Sequence, residues 1–292
     1  MDTVIENILI ADAGGTSTDW LFIRRNESIT LEVKRMSCGG INAALMQEEE
    51  MVVRMRDISR ILPASGEISV YFYGAGCAGE KQCSTVECAL RKFSCLENAS
   101  IVIMSDLAGA GRALLGRDRG IACILGTGSA SGLYDGDEIV ESVPSLGYIL
   151  GDEGSGASIG RRILNSVYKG NFPSDVTDAF YRKYHYSVQD ILENVYRQPA
   201  PNAFMASFSR FAFDHKDNYA VRELIVDEFR LFVKRNLKKY ELYGDVSVGF
   251  CGSIAYYFQD LLREACSAEK IMVGEIMRSP VEGLLKYHSE LL

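Results

Sequence analysis

The 292-residue chain has no CxxC pair, and none of its eight cysteines (positions 38, 77, 83, 88, 95, 123, 251 and 266) stands at ligand spacing from His185, His215 or His288. A sequence-local zinc or redox motif is thereby excluded, and the thiols read as free, mostly buried side chains of a reducing compartment. No uncharged stretch is long enough to span a bilayer. The longest, residues 120–134, is broken by glycines and falls short of the roughly 20 residues needed. No basic leader region is seen either, because Asp2 and Glu6 stand where its positive charges belong and Asp12 ends the apolar run. Basic charge is in deficit, 31 Lys and Arg against 39 Asp and Glu, for a net charge of -8. That balance argues against a nucleic-acid partner. With only 6 prolines, 27 glycines and 47% apolar residues, the chain is neither low-complexity nor collagen-like, and it is too long for a miniature disulfide scaffold. What remains is a cytoplasmic globular protein of about two domains at roughly 100 to 200 residues each.

The hydrophobic pattern has a repeat. Residues 7–15, 17–25 and 29–37 read as three antiparallel strands. Then follow a helix over 42–62 with an acidic outer face, a strand over 68–76 ending in glycines, a helix over 80–93, a strand over 100–107 and a helix over 108–115. From Gly120 the plan starts again. Residues 121–136 repeat the strand, Gly/Thr/Ser turn and strand of the opening, 137–144 supply a third strand, and 246–255 and 270–287 echo the later strand-helix pairs. The extra stretch over 147–244 carries apolar residues at helical spacing and reads as a helical insertion. The expected division is 1–116 and 117–292, with the last helix free to pack back on the first domain. Two copies of one α/β unit facing each other leave a central cleft, and ligands of such folds lie beyond the carboxyl ends of the strands.

Several residues at those ends have chemistry to offer. In the turn over 12–18, Gly14 and Gly15 permit close approach of the backbone to a ligand, and the hydroxyls of Thr16 and Thr18 can reach phosphate oxygens. Asp12, at the strand end, can hold magnesium directly or through water. A lone Gly-Gly turn is more often only a turn. Its counterpart Gly126, Thr127, Gly128 and Ser129 occupies the same place in the second half, and the pair is what a clamp on a nucleotide triphosphate requires. Asp106 follows an apolar strand and precedes a helix, so it is either an N-cap or a base for phosphoryl transfer, which needs a correctly placed carboxylate. Asp152 and Glu153, in the glycine-flanked loop 151–156, suit either a helix start or a sugar or metal site. Asn42, after two glycines, suits either a ligand contact or a helix cap. Gly252 and Ser253 form a turn between a strand and a helix. Phe204, Phe208, Phe211 and Phe213 read as core of the insertion, and the Glu48 to Glu50 run as a solvated helix face.

Taken in order, ADAGGTSTDW, the Ser-Asp-Leu-Ala-Gly junction, Leu-Gly-Thr-Gly-Ser, Gly-Asp-Glu-Gly-Ser-Gly and Cys-Gly-Ser resemble the N-acetylglucosamine kinase and BadF/BadG/BcrA/BcrD ATPase group of the sugar kinase, Hsp70 and actin superfamily. The resemblance covers nearly the whole chain. It implies an α/β protein of two RNase H-like (actin-like ATPase) domains that close over ATP, magnesium and a small-molecule sugar. It assigns Asp12, Gly14, Gly15, Thr16, Thr18, Gly126, Thr127, Gly128 and Ser129 to the phosphates and Gly252 and Ser253 to the adenosine. Asp106 would take the proton from the sugar hydroxyl, and Asn42, Thr127 and Asp152 would contact the sugar. The implied activity is transfer of the ATP γ-phosphate to a hydroxyl of an amino sugar. No nucleic acid or membrane partner is expected, and a homodimer is left open. Two positions depart from the kinases: Ala130 stands where Asn usually follows the second turn, and Gly147-Tyr148-Ile149 stands where they have an aromatic-Gly-His run. The other readings are an ATPase that activates a dehydratase and a sugar sensor without catalysis. The first would carry a Gly-Gly-Gln-Asp motif and iron–sulfur cysteines, the second an N-terminal DNA-binding extension, and neither feature is evident.

Overall fold

A computed structural model describes residues 5–26, 29–63 and 66–290. Asp2, part of the argument against a leader, lies outside them. The chain divides into two compact units, Met1–Gly116 with Pro280–Leu292, and Arg117–Ser279. No helix among the described residues is long and apolar enough to cross a membrane.

The first unit runs β1 (Ile5–Ala13), β2 (Ser17–Asn26), β3 (Ile29–Gly39), α1 (Glu48–Met55), β4 (Ile68–Gly74), α2 (Glu80–Arg91), β5 (Ser100–Ser105) and α3 (Asp106–Leu115). Its five-stranded sheet has the order β3-β2-β1-β4-β5, antiparallel on the β2 side of β1 and parallel on the other. The central strand must be apolar on both faces, which explains the unbroken run Ile8 to Ala11. Leu9 and Ala11 join Trp20, Phe22, Met51, Val86 and Leu90 in one core, whereas Ile8 and Ile10 join Leu21, Ile23 and Tyr73 in another.

The helix expected over 42–62 is shorter. Asn42 to Met46 form a turn, in which the Leu45 and Met46 N–H groups both donate to the Asn42 carbonyl. A capping box of Gln47 and Glu50 then starts α1, so the acidic run lies in the first turn, where the helix dipole favours it.

The second unit repeats the plan with β6 (Gly120–Leu125), β7 (Ser129–Tyr134) and β8 (Ile139–Ser142). The insertion follows as seven helices, α4 (Gly147–Leu150), α5 (Gly156–Tyr168), α6 (Ser174–Lys183), α7 (Val188–Tyr196), α8 (Pro201–Ser207), α9 (Ser209–Asp214) and α10 (Tyr219–Arg235). Then come β9 (Ser247–Cys251), α11 (Ser253–Tyr257), α12 (Gln259–Ala268) and β10 (Val273–Met277). The sheet order β10-β9-β6-β7-β8 is that of the first unit, strand for strand. Phe208 and Phe211 are fully buried in the insertion core, with Phe204 and Phe213 packed against it.

The last helix, α13 (Val281–Glu290), belongs to the first unit, beside α3. A Cβ on Gly283 would lie 2.6 Å from the Ala113 carbonyl oxygen, so only glycine permits this approach. Tyr73 Oη receives a hydrogen bond from Arg112 Nη1 (2.9 Å) and lies 2.8 Å from His288 Nε2. Burial, with the Arg112 and Arg25 charges, pushes His288 down to about 3 and keeps it neutral.

Candidate functional site

In the first unit, β1, β4 and β5 end together, with Ala13 opposite Gly74 and Gly74 opposite Ser105. Strands about 4.8 Å apart put Asp106 roughly 10 Å from the end of β1, room for a phosphoryl group and a hydroxyl. The turn after β1 is closed by Gly14 N–H donating to the Ser17 carbonyl (2.9 Å). Residues 39–42 lie across it: Gly40 N–H donates to the Thr16 carbonyl, Ile41 N–H to the Gly14 carbonyl, and a Cβ on Gly40 would sit 2.3 Å from the Gly15 carbonyl oxygen. Asn42 continues as a parallel bridge to Ala75 beyond β4, and its Oδ1 accepts from Ala44 N–H. Asn42 therefore does not cap α1. Gly76, at φ +78°, packs on Asn42 so closely that a Cβ would lie 2.5 Å from Asn42 Oδ1.

Gly15 is unlike its neighbours. Its φ lies outside the left-handed region, and a Cβ there would meet nothing within 4 Å. Its N–H donates to no described residue. Neither backbone conformation nor packing within the chain demands glycine at this position.

Asp106 is the first residue of α3, and the cap is Ser105, whose Oγ accepts from Ala108 N–H (3.2 Å). The N-cap reading of Asp106 is thus corrected. Its half-buried carboxylate accepts from Leu107 N–H (2.9 Å), and burial raises its pKa against that bond. Thr18 also requires correction. It lies on the Trp20 and Phe22 face of β2 and is fully buried, with a hydroxyl that has no partner, so it presents nothing to a phosphate.

In the second unit, the turn over 126–129 meets two other motifs. Gly252, at φ +119°, lies against it: a Cβ would be 2.3 Å from the Leu125 carbonyl oxygen. The first N–H groups of α5 donate back to it, Gly156 to the Gly126 carbonyl (2.8 Å) and Ala157 to the Thr127 carbonyl (3.1 Å). Asp152, buried and at φ +56°, accepts from Ser129 N–H at Oδ1 (3.2 Å), and Ser145 Oγ lies 3.4 Å from the same oxygen. Left-handed backbone in an aspartate is strain of the kind found at ligand sites. Burial raises the Asp152 pKa, opposed by those two hydrogen bonds. The Ser129 N–H is correspondingly taken, because it serves Asp152. Gly128 N–H, like that of Gly15, donates to no described residue. A Cβ on Gly126 would meet nothing within 4 Å, whereas one on Gly128 would lie 3.0 Å from the Asp152 carboxylate.

Sequence reasoning missed Ser145 and Glu228. Glu228, 2% exposed on α10, accepts from Gly154 N–H (3.2 Å) and from Arg162 Nη1 (3.3 Å), and so holds the loop that carries Asp152. Glu153 points elsewhere, paired with Arg235 at 2.7 Å.

This double mixed-sheet architecture, with glycine turns and acids at the strand ends, defines an actin-like ATPase fold of the sugar kinase kind. No protein-family profile matches the chain. A candidate N-acetylglucosamine kinase of Porphyromonas gingivalis is 39% identical, covering 97% of this chain and 99% of that one, with a TM-score of 0.86. A second candidate N-acetylglucosamine kinase, from Chromobacterium violaceum, shares the fold at TM-score 0.75 and 16% identity, over 97% of this chain and 98% of its own. An N-acetylmuramic acid/N-acetylglucosamine kinase of Clostridium acetobutylicum is 26% identical over 213 residues, 68% of this chain and 67% of that protein. The chain belongs to the N-acetylglucosamine kinase family of ATP-dependent sugar kinases.

Proposed function

We propose that the protein transfers the γ-phosphoryl group of MgATP to a hydroxyl of an N-acylated amino sugar, with Asp106 as the base. The observation that carries this reading is the separation of roles at the head of α3, where Ser105 caps the helix and leaves the Asp106 carboxylate for chemistry. In the reaction, the sugar oxygen forms a bond to the γ-phosphorus as the bond to the β,γ-bridging oxygen breaks and ADP leaves. The hydroxyl proton passes to the Asp106 carboxylate. Burial raises its pKa, which makes the ionised carboxylate a better proton acceptor.

The turn at Gly14, Gly15 and Thr16 and the turn at Gly126, Thr127 and Gly128 hold the phosphates, with the N–H groups of Gly15 and Gly128 as donors, and Gly252 and Ser253 lie against the adenosine. Asn42, Thr127 and Asp152 contact the sugar. Asp12 holds the magnesium ion directly or through water. The residues fit that ion: Asp12 stands directly opposite Asp19 across β1 and β2, giving hard oxygen donors. Magnesium keeps several waters and takes one or two carboxylates plus substrate phosphates. The ion supplies charge neutralisation of the phosphates.

Coupled ADP release across a panel of amino and neutral sugars tests the proposal. An N-acylated hexosamine should raise release at least roughly tenfold over the sugar-free rate, as induced fit excludes water from the γ-phosphate. Fast release without sugar, unchanged by every sugar, would overturn it in favour of a bare ATPase.

A further inference from the structure

Directly beyond the Gly252 turn the second unit displays an aromatic and a guanidinium that its packing does not use. Gly252 N–H donates to the Met277 carbonyl (3.0 Å), which fixes the end of β10 beside the turn and places Arg278 next to it. From the same turn α11 leads to Tyr257, 41% exposed, with one edge on Phe213 (centroids 5.7 Å apart). The Arg278 guanidinium carbon lies 5.8 Å from the centre of the Tyr257 ring. Arg278 is exposed and makes no ion pair or hydrogen bond with any described residue. A planar, weakly hydrated cation held against a tyrosine, with its outer side in water, is a ready stacking surface.

We propose that Tyr257 and Arg278 form the wall against which the nucleotide base stacks, and that this wall selects a purine by the area of its face and does not distinguish adenine from guanine. The proposal rests on the nucleotide role given above to Gly252 and Ser253. The two purines differ only in the donors and acceptors along their edges, so telling them apart requires a polar group of fixed sense aimed at an edge. Polar side chains held beside Phe213 and Tyr256 are already engaged. Lys216 and Asp260 are paired with each other at 2.7 Å, and the Gln259 amide donates to the Tyr256 carbonyl. Ser253 offers a hydroxyl, which donates or accepts as required and so suits either purine. Stacking on an aromatic or guanidinium face accepts any base and strengthens with ring size.

Calorimetry on the full chain with the magnesium complexes of ATP, GTP, CTP and tripolyphosphate tests this without knowledge of the sugar. Affinities for ATP and GTP should agree within about threefold, and CTP should bind at least several-fold more weakly. Arg278→Ala and Tyr257→Ala should each weaken ATP and GTP by about tenfold while tripolyphosphate binds as before, and Tyr257→Phe should retain most of the affinity. Arg278 is exposed and outside the core, so its variant answers the question even if Tyr257→Ala fails to fold. Preference for ATP over GTP beyond about thirtyfold overturns the selectivity, and unchanged ATP affinity in Arg278→Ala and a folded Tyr257→Ala overturns the wall. Wild type that binds tripolyphosphate as tightly as ATP also overturns the wall, whereas wild type that binds neither overturns the nucleotide reading beneath it.

Discussion

Replacing Asp106 by asparagine separates the two roles that meet at the start of α3. The amide introduced by Asp106→Asn would keep a carbonyl oxygen where Asp106 Oδ1 now accepts from Leu107 N–H at 2.9 Å, and Ser105 would still cap the helix, so local geometry should survive. What disappears is the proton acceptor. Loss of a general base costs about 10²- to 10⁴-fold in turnover, or about 3 to 5.5 kcal/mol of barrier at about 1.36 kcal/mol per tenfold. MgATP affinity should change little.

Stability should move the other way. Because burial raises the folded pKa of Asp106 above its unfolded value, the folded state binds the proton more tightly, and folding is penalised as pH rises through the window between the two values. Once the folded-state carboxylate is fully ionised that penalty is fully present, so Asp106→Asn should there melt no lower than wild type, and the difference should vanish below the ordinary carboxylate range of about 4. Ser105→Ala should do the reverse, losing about 1 kcal/mol of stability while turnover stays within a few-fold. The acid limb of kcat/KM should lie above the ordinary aspartate range in wild type and disappear in Asp106→Asn, because the base must be ionised to work. Coupled ADP release, melting curves and a pH profile on these variants complete the assay. Turnover of Asp106→Asn within tenfold of wild type would refute the reasoning.

Gly15→Val should fold normally, since its Cβ meets nothing, yet raise the KM for MgATP by at least tenfold in steady-state kinetics as the side chain fills the phosphate space. Gly126→Val should likewise weaken the nucleotide alone, whereas Gly128→Val, with its Cβ 3.0 Å from Asp152, should raise the KM for both nucleotide and sugar. Ala130→Asn adds an amide at the one half-buried position of β7, next to Ser129, and should shift relative kcat/KM toward N-acetylglucosamine, by about 0.5 to 1.5 kcal/mol for one added hydrogen bond. Glu228→Ala strips Gly154 N–H of its buried acceptor and should lower stability by about 1 to 3 kcal/mol in chemical denaturation, with a rise in sugar KM because the Asp152 loop loosens.

The repeated sheet is legible because it is written in local signals: apolar runs that end at paired glycines, twice, at matching places. The helix expected over 42–62 fails for the opposite reason. Its early apolar residues have helical spacing, but Asn42 is held by a bridge to Ala75, thirty-three positions away, and no local pattern announces that partner. The burial of Thr18, by contrast, is readable. In β2 alternate residues share a face, and Thr18 stands two before Trp20 and four before Phe22, so the strand period alone places its hydroxyl inward.

The acids around the second turn show where the limit of sequence reading lies. Asp152 and Glu153 are adjacent in the same glycine loop and chemically alike, yet one is buried against Ser129 N–H and the other paired with Arg235. What separates them is the left-handed backbone at Asp152, which reverses the direction of its side chain relative to its neighbour. That conformation is disfavoured for an aspartate unless its surroundings impose it. Glu228 does so from α10 by holding Gly154 N–H, while Ser129 and Ser145 receive the carboxylate on the other side. A conformation enforced by three residues from three parts of the chain leaves no trace in the local sequence, although the glycines on either side mark that something unusual must happen there.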